Sequence, residues 1–206
     1  MKIIAIERGA EMWPKEFDRA IESDEVMSPL SIPTTLIADS AVVREKTPLF
    51  VPDFAANWQL AIAPAITIGR LGKSIAPRFA RQYVSGIRFV ARLLPPDYEE
   101  AKPIGALAAT FDGTIAFGPE TAEAPYFEHL EVEVGYPELR NGNMKMEIDA
   151  GKFEIEKTIA LVSRYTLLRT GDIIIPCVMP LQASPKIDTR LSVSVNGIMA
   201  LNLKIK

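Results

Sequence analysis

The chain has one cysteine, Cys177, and one histidine, His129, in 206 residues. A single thiol forms no internal disulfide, and no Cys/His cluster has the spacing of a structural zinc site, which suits a reducing cytoplasm. Triad or Cys–His chemistry would have to route through His129, and the glutamates beside it, Glu128 and Glu131, make it a poor general base. No serine or cysteine stands in a nucleophile-elbow pattern. Long hydrophobic runs are missing too. None approaches the ~20 residues that cross a bilayer, and the opening MKIIAIERGAEMW reaches Glu7 and Arg8 too early for a secretory signal. Nor is there an excess of positive charge: a net charge of -3 and a pI near 5.4 argue against counterion-driven nucleic-acid binding. The basic residues between Arg70 and Arg92 have few aromatics among them and read as ordinary surface. The expectation is a cytoplasmic protein with no nucleic-acid and no membrane partner.

What is present is apolar material, 48% of the residues, enough for a sizeable core in one domain over residues 1–206. Its patterning is that of strands. Leu191, Val193 and Val195 alternate with serines, Asn196-Gly197 makes a tight turn, and Leu201, Leu203 and Ile205 alternate with polar residues, which together spell a hairpin with one buried face. Similar patterns run over Lys2 to Ile6, Ile62 to Ile68, Val84 to Ala91, Thr114 to Phe117, His129 to Val134, Met144 to Ile148 and Ile173 to Cys177. Helical patterns are few: Pro14 to Glu22, Pro77 to Tyr83 and Glu154 to Tyr165. The fold class that follows is mainly β (α+β), with a few short helices and many compact loops.

Two stretches invite a chemical reading. Thr67 to Ser74, TIGRLGKS, ends like a phosphate loop, but the glycine required five positions before Gly72 is Thr67, so too few free N–H groups would face a phosphate. Phe127 to Val134, FEHLEVEV, would place His129, Glu131 and Glu133 on one face of a strand. Side chains two apart on a strand are roughly 6.5 to 7 Å apart and splay, so the row reads first as a solvated face opposite Leu130, Val132 and Val134, and only second as a metal site.

Taken in order, LFVPDF at Leu49 to Phe54, ITIGRLGKSI at Ile66 to Ile75, FARQYVSGIRFVAR at Phe79 to Arg92, FDG at Phe111 to Gly113, IEKTIALVSRYTLLRTGDIII and the closing LKIK resemble the fumarylacetoacetate hydrolase family in its short single-domain bacterial form. The resemblance implies a homodimer with a mixed β-sandwich or β-roll fold. It further implies Mg²⁺, Mn²⁺ or Ca²⁺ holding an oxo-acid enolate while a C–C bond is cleaved, decarboxylated or isomerised, the cation stabilising the developing oxyanion.

It also implies that the working positions have changed. The family's Glu-x-Glu ligands fall on Ala61 and Ala63, and its aspartate ligand falls on Arg88, four residues before a retained Arg92. The lysine falls on Ala109, the histidine of the water-activating dyad on Trp13, and the late TGTP loop on Pro176 to Met179. The expectation is therefore no metal cofactor, no catalytic residue, and a catalytically inactive relative with a structural or regulatory role. Such a relative still has a way to clasp a small oxo-acid carboxylate, with Arg88 and Arg92 as the anion-binding pair in place of a metal. The alternative is an active hydrolase, decarboxylase or isomerase that works on a C–C bond through an altered or relocated site.

Overall fold

The computed structural model describes residues 1–23, 28–43, 47–120 and 129–206. The first four strands are β1 (Ile3–Ile6), β2 (Thr34–Ile37), β3 (Val42–Val43) and β4 (Gln59–Ile68). Then come β5 (Val84–Leu94), β6 (Ile115–Phe117), β7 (His129–Gly135), β8 (Asn143–Asp149), β9 (Ile173–Ile175), β10 (Met179–Pro180), β11 (Arg190–Val195) and β12 (Ile198–Lys204). The helices are α1 (Lys15–Glu22), α2 (Pro77–Ala80), α3 (Ala106–Thr110) and α4 (Ile155–Tyr165).

The strands form two sheets. In the larger the order is β2-β1-β9-β4-β5-β6-β3, with β10 also on β4, and in the smaller it is β12-β11-β7-β8. β1 runs parallel to β9 and β3 parallel to β6, so the larger sheet is mixed, while the smaller is antiparallel throughout. The chain is a mainly β, mixed sandwich with a few short helices, as its patterning suggests.

The core divides by face. Leu60, Ile62, Phe89 and Leu93 of the central strands meet Val132, Val134, Leu191 and Val193 of the smaller sheet. Farther along the same strands, Ile66 and Ile68 lie under Phe17 of α1 and Ile159 and Val162 of α4. The other face of β4 carries Ala61, Ala63 and Ala65. Because it is buried on both faces, β4 reads as an apolar run from Leu60 to Ile66, as central strands do. Pro64 sits between the stretch paired with β10, at Ala61 and Ile62, and the stretch paired with β9, at Ile66 and Thr67, where a missing donor does least harm. Past the end of β6, Gly118 passes so close to the Ala200 carbonyl of β12 that any Cβ would collide with it.

Four elements differ from the sequence reading. β3 and β10 have two residues each and so no period, β2 is short, and α3 is a single alanine-rich turn after Gly105. The central strands also run longer than expected, back to Gln59 and on to Leu94. The helix expected over Pro77 to Tyr83 is one α turn continued by a 3₁₀ turn at Arg81–Tyr83.

Candidate functional site

Facing residues of an antiparallel pair share a face of the sheet. In the β4–β5 register Ala61 faces Arg92, Ala63 faces Val90 and Ala65 faces Arg88. Both arginines and all three alanines therefore line the face where the resemblance places the ligands of a metal. Ala61 and Ala63 are wholly buried. Ala63 and Ala65 lie among Ile3, Ala5, Ile173 and Ile175, and Ala61 packs with Leu94 and Val178, with Tyr98 and Ile104 alongside. A hard divalent cation takes several oxygen ligands, and methyl groups beside a guanidinium supply none, so this set does not fit one. Among the described residues no three His, Cys, Asp or Glu side chains gather where they could hold a metal ion.

Arg92 interrupts the apolar end of β5 and is wholly buried, as is Glu7 at the end of β1. Its Nη2 donates to Glu7 Oε1 at 3.0 Å and its Nη1 to Oε2 at 3.2 Å, and the Tyr98 hydroxyl donates to Oε2 at 3.3 Å. Burial, followed by the Glu7 carboxylate, pushes the Tyr98 phenol well above its ordinary pKa, so the hydroxyl stays a donor. The Glu7 backbone is pinned from two sides, its N–H donating to the Pro33 carbonyl at 2.7 Å and its carbonyl accepting from Ala101 at 2.6 Å. Where the family pattern has a glutamate on β4, Ala61 faces Arg92 across the ladder, and the carboxylate arrives from β1 instead. Glu7 and Tyr98 were not singled out in the sequence; an isolated acid directly after the apolar IIAI strand was the available signal.

Arg88 has a different environment. It pairs with Glu120, donates to Thr67 Oγ1 at 3.4 Å, and lies 5.4 Å from the centre of the Phe117 ring. Burial lowers its pKa, yet its side chain remains 19% exposed, against 0% for Arg92. Four residues along a strand separate the two by roughly 13 Å, with Val90 between them. The two arginines of the expected clasp thus share a face without converging, and each already holds a carboxylate of the chain.

The remaining positions are built into the packing. Arg8 Nη1 donates to the carbonyls of Gly9, Ala10 and Met12, and Nη2 to those of Lys152 and Phe153, at 2.8 to 3.4 Å. This fork ties the loop after β1 to the segment leading into α4. Trp13 lies between Arg8 and Lys157, 5.0 and 5.6 Å from its ring, and its Nε1 donates to Asp18 at 2.9 Å. Ala109 is buried on α3. Cys177 is buried in the core between the sheets, and desolvation pushes its thiol up to about 12.

His129, Glu131 and Glu133 are exposed on β7 while Leu130, Val132 and Val134 are buried, so FEHLEVEV is the solvated face of a strand; its Phe127 and Glu128 lie outside the described residues. Opposite them on β8 stand Asp149, Glu147 and Lys145, and Glu133 pairs with Lys145 at 3.5 Å. In the GRLGKS loop, Gly69 N donates to Tyr83 O, Gly72 N to Leu168 O and Ser74 N to Ser163 O. These three N–H groups are spent within the fold and are not free to cradle a phosphate.

The fold is a mixed β-sandwich built around the two long central strands β4 and β5. The family described as fumarylacetoacetate (FAA) hydrolase, C-terminal, matches residues 2–200, and the chain belongs to it. No curated protein matches the chain. Among solved structures, 5-carboxymethyl-2-hydroxymuconate delta-isomerase from Mycobacterium smegmatis is 20% identical with a TM-score of 0.75, covering 99% of this chain and 78% of that one. Fumarylpyruvate hydrolase from Pseudomonas aeruginosa, solved with Mn²⁺ and pyruvate, is 17% identical with a TM-score of 0.71, covering 99% and 88%. 2-Hydroxyhepta-2,4-diene-1,7-dioate isomerase from Mycobacterium marinum is 18% identical with a TM-score of 0.74, covering 99% and 73%. At these identities the likeness is one of fold.

Proposed function

We propose that this protein is a catalytically silent member of its family that keeps the scaffold for a structural or regulatory role and runs no metal-dependent C–C bond chemistry. The observation that carries this reading is the buried pair of Glu7 and Arg92 beside Ala61: the positive charge is a guanidinium, its counter-charge is internal, and the ground around it is apolar. A Lewis acid held by several carboxylates would supply the oxyanion stabilisation of such reactions, and this donor set offers it no seat. Mn²⁺ titration followed by electron paramagnetic resonance tests the proposal. The expected spectrum is that of free aqueous Mn²⁺; a stoichiometric protein-bound signal that Ala61→Leu abolishes overturns it.

A second reading, small-carboxylate binding, rests on the partial exposure of Arg88. Arg92 is enclosed, so the guanidinium that a pyruvate or oxaloacetate reaches is that of Arg88, by displacing Glu120. Thermal shift with these acids should raise the melting temperature of the wild type and leave Arg88→Ala unmoved. Equal shifts, or none, remove this reading. Homodimerisation belongs to the same proposal; the exposure of Phe50 at 54% and Phe54 at 64% supports it, and sedimentation equilibrium at twice the chain mass of 22.7 kDa would establish it.

A further inference from the structure

We propose that the paired loops after β4 and α4, together with α2, form a docking surface for an anionic phospholipid bilayer. The overall charge of -3 conceals a sharp asymmetry. From Phe54 to Pro96 the chain has no aspartate or glutamate but carries Arg70, Lys73, Arg78, Arg81, Arg88 and Arg92, and from Lys157 to Gly171 it again has no acid but carries Lys157, Arg164 and Arg169.

The fold joins these two runs. Gly72 and Leu168 form an antiparallel bridge, closed by Gly72 N to Leu168 O at 3.0 Å and Leu168 N to Gly72 O at 2.8 Å. Leu168 is wholly buried, and a Cβ on Gly72 would meet Tyr83 and Ile75, so both bridge residues face inward. Side chains alternate along such a ladder, so their neighbours Leu71, Lys73, Leu167 and Arg169 face outward together. Leu71 is 64% exposed and Leu167 38%. The adjoining α2 adds Arg78 stacked on Phe79, itself 46% exposed.

Five cations of these two runs are already engaged: Arg81 pairs with Glu156, Arg88 with Glu120, Arg92 with Glu7, Lys157 with Asp18 and Glu154, and Arg164 donates to the carbonyls of Ala20 and Ser23. The side chains of Arg70, Lys73, Arg78 and Arg169 pair with no acid among the described residues, although the Arg169 backbone N–H donates to buried Asp172. The acids of the smaller sheet, Glu131, Glu147 and Asp149, flank the other part of the core, and salt screens such charges beyond about a Debye length, 8 to 10 Å.

Leucines projecting from bridged loop tips among free cations suit a surface that yields to them. A protein partner would have to present a pocket for each, whereas a bilayer receives apolar side chains at its headgroup boundary while Lys and Arg meet its phosphates. Each basic residue near an anionic membrane strengthens adhesion by about fivefold. The loop backbone is bonded within the fold, so the contact is made by side chains, independently of the β4–β5 face discussed under function.

Co-sedimentation of the full chain with vesicles decides the matter. The expected result is binding to phosphatidylcholine vesicles containing about a third phosphatidylglycerol, no binding to phosphatidylcholine alone, and loss of binding at high salt. Lys73→Glu with Arg169→Glu should weaken binding at least about tenfold, and Leu71→Ser should weaken it severalfold with the charge unchanged, both at wild-type melting temperature. No association with anionic vesicles at low salt, or binding that neither variant alters, overturns the proposal. Binding to poly-glutamate as tight as to vesicles and indifferent to Leu71→Ser also overturns it, in favour of an acidic protein partner.

Discussion

Arg92 donates both terminal nitrogens to the two carboxylate oxygens of Glu7, at 3.0 and 3.2 Å, and neither side chain reaches solvent. Breaking such a pair leaves an uncompensated buried charge, which costs far more than the intact pair contributes. Glu7→Leu or Arg92→Met alone should lower the unfolding free energy by about 3 to 5 kcal/mol in urea titrations. The double variant Glu7→Leu/Arg92→Met should recover most of that loss; additive losses would mean the two residues act separately.

Asp172, with its side chain 4% exposed, is a second enclosed carboxylate, held by Lys2 Nζ at 2.7 Å and by the N–H groups of Lys2 and Arg169 at 2.8 and 2.9 Å. Burial alone would raise its pKa, but these partners outweigh burial and the net shift is downward. The folded form therefore takes up the proton less readily than the unfolded chain. The stability it supplies is complete above the unfolded carboxylate pKa, about 4, and is lost as pH falls through the lowered folded value. Asp172→Asn should cost about 1 to 3 kcal/mol near neutral pH and flatten the acid limb of the stability profile.

Cys177 is wholly buried with its thiol raised to about 12, so it should react with iodoacetamide about a thousandfold more slowly in the folded protein than in urea. Equal rates in both states would place the thiol at the surface and contradict the packing.

Gly118 owes its identity to the Ala200 carbonyl pressed against its Cα. Gly118→Ala must move backbone on β12 or at the end of β6, and should destabilise by at least about 2 kcal/mol. A melting temperature equal to wild type would show that the two segments separate freely.

The fold was largely legible because its signals are local. The hairpin Arg190–Val195 and Ile198–Lys204 shows in strict alternation and an Asn-Gly turn, and β7 shows its wet and dry faces residue by residue. β3 and β10 were invisible because two residues carry no period, and what makes them strands is the partner they find in β6 and β4. The site was legible only as positions. The family resemblance places Ala61 and Arg92 but says nothing of Glu7, which reaches Arg92 across 85 residues. Net charge is likewise blind to placement, since it sums over a surface on which Lys73 and Arg169 meet only through the bridge of Gly72 to Leu168.

Turnover of oxaloacetate, an acylpyruvate or fumarylacetoacetate, with saturating Mg²⁺ or Mn²⁺, measures directly whether the site is closed to its family's chemistry. The expected rate is that of the metal ion alone, unchanged by Arg88→Ala. Product formation proportional to protein concentration, abolished by chelation, would contradict a sealed site and show that this member of the family still catalyses.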